Sequence, residues 1–107
     1  MLENSVYAYP KLDGRFSAFS GLKFSFDAEQ PAGSRVFGIT DMEDKPFDLT
    51  REYTVAIKYF ISIGRDGYEC LTDPSVSYVR DVNSAILIQE MVMSFLKRLE
   101  PGYTIEP

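Results

Sequence analysis

Histidine is absent from this 107-residue chain. Its side chain is the one whose ordinary pKa lies nearest neutral pH, and it completes Ser-His-Asp and Cys-His catalytic systems. Histidine also supplies ligands to most catalytic zinc sites. Its absence excludes these nucleophilic systems and makes a complete hydrolase difficult to build from this sequence alone.

Cysteine and basic charge are both scarce. Cys70 is the only cysteine, so it cannot form an internal disulfide, and we expect its thiol to be buried. The 11 Lys and Arg residues against 16 Asp and Glu residues leave a net charge of −5. Nucleic-acid-binding domains carry the opposite sign of charge. We therefore expect neither nucleic acid nor an anionic membrane as a partner.

Long apolar runs are also missing. No stretch reaches the roughly 18 consecutive apolar residues of a membrane-spanning helix. The first ten residues lack the basic start and apolar core of an export signal, so we expect none in the sequence as it stands. The 45% hydrophobic and 25% charged content is typical of a globular domain with one core. We predict a single domain over residues 1–107.

The first half of the chain carries the pattern of a β-hairpin. Residues 1–19 contain turn-forming residues without a sustained period and predict an irregular lead-in segment. Leu22, Phe24 and Phe26 then alternate with polar residues, which predicts a half-buried strand. A loop containing proline and glycine leads to a second strand over residues 35–40.

A third strand is predicted over residues 53–60, which are rich in aromatic and β-branched side chains. Its apolar face, which we expect to be buried, consists of Tyr53, Val55, Ile57 and Tyr59. Phe60 lies on the mixed face or on a short helical turn after the strand. The loop that follows is where we expect a site.

A helical period extends over residues 82–99. Its apolar stripe consists of Ile88, Val92, Phe95 and Leu99. Asp81 or Asn83 can cap its start, and Lys97 and Arg98 oppose the helix dipole at its end. The chain is therefore predicted to be an α+β domain with a mixed or antiparallel β-sheet packed with helices.

Asp41, Glu43 and Asp44 form an acidic cluster that could suggest a calcium or magnesium loop. The spacing lacks the further ligands and the bidentate glutamate of a helix-loop-helix calcium site. A solvated charged turn is the favoured interpretation, and no metal site is predicted in this chain.

Aromatic side chains are plentiful, with eight Phe and seven Tyr. Such rings usually fill a core, although a ring beside an exposed loop can stack on a nucleobase. Considered alone, Phe60 is more often a core residue. The sequence Gly64-Arg65-Asp66-Gly67, also considered alone, predicts a tight turn in which glycine permits positive φ.

Four segments, in order and with compatible spacing, resemble the C-terminal domain of the 5'-nucleotidase family. That family includes UDP-sugar hydrolases and 2',3'-cyclic-nucleotide phosphodiesterases. The resemblance extends from about Tyr9 to Tyr68, and the later helix fits loosely. The four segments are GRFSAFSGLKFSFD (14–27), PAGSRV (31–36), YTVA (53–56) and GRDGY (64–68).

The resemblance implies a two-domain phosphatase. Its N-terminal metallophosphatase domain holds two divalent metal ions, and its C-terminal domain supplies the nucleoside pocket. In that family two aromatic rings sandwich the base, and the Asp of a Gly-Gly-Asp-Gly turn contacts the nucleoside. The corresponding positions here are Phe60 for the second ring and Asp66 for the carboxylate. The expected pocket neighbours are Gly64, Arg65, Gly67 and Tyr68.

The sequence departs from the family pattern at several points. Arg65 stands at the second glycine of the turn, where it either crowds the pocket or reaches an anionic ligand. Ile57, Lys58 and Tyr59 replace an Asn-rich segment. The upstream half of the domain, with an Asn-Gly-Gly-x-Arg loop and the first aromatic wall, is not represented. The resemblance therefore implies half of a nucleoside clamp.

The sequence is compatible with two functions. The first is the base-binding part of a metal-dependent 5'-nucleotidase-like phosphohydrolase, joined to a metal domain and inactive alone. Its substrate would be a nucleoside monophosphate, a UDP-sugar or a cyclic nucleotide. The second is a stand-alone interaction module that forms a homo-oligomer. Family members are often extracellular or periplasmic, whereas this sequence shows no export signal. The localisation of this chain is therefore left undecided.

Overall fold

In the computed structural model, residues 1–104 are described, and the chain divides into two compact units. The first unit comprises residues 1–77 and the second begins at Tyr78. The prediction of a single domain over residues 1–107 stays a prediction. The first unit contains α1 (Leu2–Val6), β1 (Lys23–Phe26), β2 (Val36–Thr40), α2 (Tyr59–Ser62) and the 3-10 helices Arg65–Gly67 and Glu69–Thr72. The second contains the 3-10 helix Val82–Ser84 and α3 (Ile88–Arg98).

The antiparallel hairpin confirms the first two predicted strands. Ser25 pairs with Phe37 and Phe26 with Val36, and an irregularity of register follows Lys23. The side chains of β1 alternate between exposed and half-buried, as the sequence period predicted. With helices beside this two-stranded sheet, the α+β class is confirmed. None of the helices among residues 1–104 is long and apolar enough to cross a membrane.

The predicted third strand is wrong. Residues 53–58 have no regular secondary structure, and α2 follows them directly. The chain after β2 turns back on it, since Phe47 donates its backbone N–H to the carbonyl of Ile39 at 3.1 Å and Pro46 bridges Thr40. Residues with a high strand propensity form a strand only where a neighbouring strand is available to pair with them. The predicted buried face is exposed, from 38% at Ile57 to 55% at Val55.

Helix α1 was not predicted, because five residues are too few to show a helical period. Contacts with Arg35 and with Val36 at the start of β2 hold α1 in place. The Glu3 carboxylate accepts the backbone N–H groups of Val36 at 2.7 Å and Arg35 at 3.1 Å. The Arg35 guanidinium in turn donates to the carbonyl of Val6 at 2.7 Å, at the negative end of the helix. Tertiary contacts thus stabilise a helix too short to form alone.

Helix α3 confirms the predicted second-half helix but begins at Ile88 instead of residue 82. Asp81 caps the separate 3-10 turn, accepting the N–H of Ser84 at 3.0 Å. Ala85 and Leu87 then have extended backbone angles, which end that turn before α3 starts. Lys97 and Arg98 occupy the last turn, as predicted.

Candidate functional site

Phe60 and Asp66 lie in neighbouring elements of the first unit. Phe60 is in α2, which contacts the 3-10 turn Arg65–Gly67 that carries Asp66. The backbone N–H of Gly64 donates to the carbonyl of Ile61 at 3.0 Å and closes the connection between them. The Phe60 ring is 53% exposed, on the short helical turn that was one of its two predicted positions. We call this surface the Phe60–Asp66 site.

The backbone of the turn explains its glycines. Gly64, Asp66 and Gly67 have φ of 85°, 54° and 78°, in the left-handed region that glycine enters without strain and aspartate tolerates. A Cβ at Gly64 would also lie 2.8 Å from the Thr72 methyl group. Arg65 is outside that region of φ. Its side chain therefore replaces the family glycine without backbone strain, and it is exposed.

The Asp66 carboxylate is exposed and has no hydrogen-bond or ion-pair partner among residues 1–104. Its backbone carbonyl accepts a hydrogen bond from the Asn4 side-chain amide at 2.9 Å. The carboxylate oxygens lie against Gly14. An ionised carboxylate only accepts hydrogen bonds, so this group is available to hydroxyl or amino donors of a ligand.

Tyr68 is an internal anchor beneath the turn. It is 1% exposed, and its hydroxyl donates to the Arg15 carbonyl at 2.7 Å. The same oxygen lies 2.8 Å from the Ser17 hydroxyl. Tyr68 therefore joins the turn to residues 15–17 and does not present its ring to solvent.

Sequence reasoning missed the residues that support the turn from the start of the chain. Asn4 and Ser17 carried no recognisable signal, because their partners lie 62 and 51 positions away. Gly14 entered the sequence analysis only as the first residue of the segment 14–27, with no role of its own. A conformational role for that glycine would have required a positive φ, which it does not have.

A separate depression of about 670 Å³ lies among residues 1–55. Phe47 and Tyr53 stack beside it with ring centroids 4.4 Å apart. Neither Phe60 nor Asp66 lines this depression. Phe60 and Asp66 are instead both exposed at the surface of the first unit.

The remaining candidate groups have structural surroundings. Asp41 accepts the backbone N–H groups of Glu43 and Lys45 at 2.8 and 3.0 Å, and Asp44 pairs with Lys23, which confirms the charged turn. The expected burial of Cys70 is wrong, because the 3-10 turn Glu69–Thr72 lies on the surface and exposes this residue. Within residues 1–104, no group of three or more acidic or cysteine side chains is arranged to hold a metal ion.

Comparison with known proteins gives a family match and a similar relative. A family model described as "5'-nucleotidase, C-terminal domain" matches residues 1–73. The chain is also similar to a snake venom 5'-nucleotidase from Macrovipera lebetinus, with 30% identity over 105 residues. That alignment covers 92% of this chain and 25% of the venom protein, so the chain spans about a quarter of that relative's length. No solved structure matches the chain.

Proposed function

Since this chain belongs to the 5'-nucleotidase C-terminal domain family, we propose that it holds the nucleoside part of a nucleotide substrate at the Phe60–Asp66 site. The observation that supports this most is the pairing of an exposed aromatic ring with an unpartnered carboxylate on contacting elements. Both lie within the matched range, which also includes the whole turn and its supports Asn4 and Gly14.

Phe60 contributes stacking in this proposal. An exposed ring offers a flat apolar face to a purine or pyrimidine, and such stacking is worth about 1–3 kcal/mol per base. The ring does not discriminate strongly between bases, because every base has a π-face. It therefore fixes the plane of the base without choosing which base binds.

Asp66 restricts the orientation of the bound nucleoside in this proposal. Its carboxylate accepts hydrogen bonds from ligand donors, and a charged acceptor forms the stronger kind of hydrogen bond. Stacking by one group and hydrogen bonding by another together restrict how the ligand rotates on the surface. Holding a substrate in one orientation is itself a contribution to catalysis by a partner domain.

The hydrolytic step belongs to a separate metallophosphatase domain in this proposal. The two metal ions that the family implies do not fit residues 1–104, where no cluster of three or more ligating side chains exists. No chemical step is therefore assigned to a metal on this chain. Its own residues bind and orient the nucleoside.

The proposal is tested by titrating the chain with adenosine, AMP and UDP-glucose, using amide chemical shifts. Phe60→Leu keeps an apolar side chain but removes the aromatic face. Phe37→Leu is the matched control, because Phe37 is 57% exposed but lies on β2. We expect Phe60→Leu to weaken adenosine binding about fivefold or more and Phe37→Leu to leave it unchanged. Absence of shifts at residues 59–68 at millimolar ligand would contradict the proposal.

The same titration addresses Arg65. If its guanidinium reaches an anionic group, AMP binds more tightly than adenosine, and Arg65→Gly removes that difference. If its side chain crowds the site, Arg65→Gly strengthens binding of both ligands.

A second candidate function is a homo-oligomerisation module, favoured by the apolar face of α3. Ile88, Val92 and Phe95 lie on one stripe and are each about half exposed, from 48% to 50%. The proposed occupant of this face is α3 of a second copy, packed antiparallel. Glu90 and Lys97 lie on the opposite face of α3 and therefore stay in solvent in that arrangement.

Light scattering over a wide concentration range tests this candidate. A dimer that Val92→Glu converts to a monomer supports it, since a buried unpaired charge at the stripe is costly. A monomer at all concentrations would exclude it. The nucleoside titration is independent of this result.

A further inference from the structure

Gly14 occupies a position where glycine is required for space and not for backbone conformation. Its φ is not positive, so its backbone does not demand glycine. A Cβ added at Gly14 would lie 2.8 Å from Oδ2 of Asp66 and 3.1 Å from its Cγ. The missing side chain of Gly14 therefore makes room for the Asp66 carboxylate.

Other contacts hold the backbone on both sides of that carboxylate. Asn4 donates its side-chain amide to the Asp66 carbonyl, and its Oδ1 lies so close to Gly67 that a Cβ there would be 2.5 Å away. Tyr68, the next residue, is held by the Arg15 carbonyl and the Ser17 hydroxyl. With this backbone held, a methyl group at position 14 is most easily accommodated by rotation of the Asp66 side chain.

We infer that Gly14 is a positioning residue for Asp66: by leaving space at its Cα, it permits the rotamer in which the carboxylate lies against Gly14, and a nucleoside binds to the carboxylate in that rotamer. The inference rests on the proposed function, in which Asp66 accepts a hydrogen bond from the ligand. It assigns a binding role to the first segment of the chain, which itself carries no ligand-binding group in the proposal.

A double-mutant cycle tests this inference with Gly14→Ala, Asp66→Gly and the two combined. Asp66→Gly removes the carboxylate and keeps the positive φ at that position without strain. In the free protein, three-bond couplings report the χ1 angle of Asp66. We expect Gly14→Ala to change these couplings, leave the fold intact, and weaken adenosine binding about tenfold or more, the value of one hydrogen bond to a charged acceptor. In the Asp66→Gly background, Gly14→Ala should weaken binding no further.

Two results would overturn the inference. The first is an unchanged Asp66 χ1 in Gly14→Ala. The second is an equal loss of affinity with and without the Asp66 carboxylate, because the substitution would then act through the fold. If the unmodified chain binds no adenosine, the proposed function fails, while the χ1 couplings still decide whether Gly14 positions Asp66.

Discussion

At the scale of single residues, the turn at residues 64–67 was predictable because a short sequence motif specifies it. The residues that hold this turn in place were not predictable, because they are distant in the sequence. The Gly64-Arg65-Asp66-Gly67 pattern predicted a tight turn, and three of its four residues have positive φ. Tyr68 was predicted as a pocket neighbour, yet it lies buried beneath the turn. Its partners, Arg15 and Ser17, are more than 50 residues earlier, beyond the reach of local pattern reasoning.

Removing the Tyr68 hydroxyl should destabilise the first unit. Tyr68→Phe leaves the buried ring but removes the donor to the Arg15 carbonyl and the partner of the Ser17 hydroxyl. We expect a loss of about 1–3 kcal/mol in the free energy of unfolding. Urea denaturation measures it, with Tyr7→Phe as the control because Tyr7 is 52% exposed. Equal effects of the two substitutions would refute the anchoring role.

The carboxyl of Asp48 should titrate below its ordinary pKa of 3.8. The Thr50 hydroxyl donates to it at 2.7 Å and lowers its pKa, and the Thr50 backbone N–H at 2.9 Å adds to this. A lowered folded-state pKa contributes stability that is present above the ordinary pKa and lost as the pH falls through the folded one. The contribution is therefore fully present at neutral pH, and its loss is confined to pH values near and below about 4.

Thr50→Val should raise the Asp48 pKa toward its ordinary value, because it removes the hydroxyl donor and keeps the backbone donor. Carbon-13 NMR of the carboxyl groups measures this change. Asp73, whose pKa is lowered by the hydroxyl and N–H of Ser75, serves as the internal control. A shift of Asp73 in the same variant, or no shift of Asp48, would show that the assigned cause is wrong.

At the scale of elements, the hairpin was predictable and the third strand was not. The alternation of Leu22, Phe24 and Phe26 encodes both the strand and its half-buried face within the segment itself. Residues 53–60 have the composition of a strand, but a strand also needs a free edge to pair with. Phe47 already donates a hydrogen bond to Ile39 of β2, and a local sequence pattern cannot reveal whether residues 53–60 will find a strand to pair with.

The attachment of α1 to the hairpin depends on the planar guanidinium of Arg35. One nitrogen, Nη1, donates to the carbonyls of Val6, Tyr7 and Tyr9 at 2.7, 3.0 and 3.1 Å, and Nε donates to Gln30 at 2.9 Å. Arg35→Lys keeps the charge but cannot reproduce these donors together. We expect a loss of about 1–3 kcal/mol in stability.

Thermal unfolding followed by circular dichroism measures this loss. Arg51→Lys is the control, because the Arg51 guanidinium lies over the exposed Tyr53 ring at 5.5 Å and a lysine keeps its charge interaction with Asp48. That substitution should change stability by less than about 0.5 kcal/mol. An Arg35→Lys variant as stable as the control would show that charge alone attaches the helix.

At the scale of the whole molecule, family membership and the α+β class were recoverable from sequence because the matching motifs are contiguous. The absence of histidine excludes Ser-His-Asp and Cys-His catalytic systems from this sequence. The proposed role, binding a nucleoside, needs neither system. The structural role of the first residues of the chain was the part that the sequence predicted least. Asn4 and Gly14 support a turn more than 50 residues later, so the site depends on a long-range contact.

The 107-residue polypeptide should not hydrolyse AMP by itself in the presence of divalent cations. Its described residues provide no metal-ligating cluster and the proposal gives them a binding role only. Release of inorganic phosphate, assayed with Mg²⁺, Mn²⁺ and Zn²⁺, measures this directly. Metal-dependent hydrolysis that co-purifies with the chain and disappears in Phe60→Leu would place catalysis on this polypeptide.

Stacking of a base on Phe60 is most directly tested by intermolecular nuclear Overhauser effects between adenosine and the phenylalanine rings. We predict contacts from the adenine H2 and H8 protons to the ring protons of Phe60. The ring of Phe37, which is similarly exposed on β2, should show none. Contacts to Phe37 of equal intensity, or no contact to Phe60 at saturating adenosine, would contradict the account.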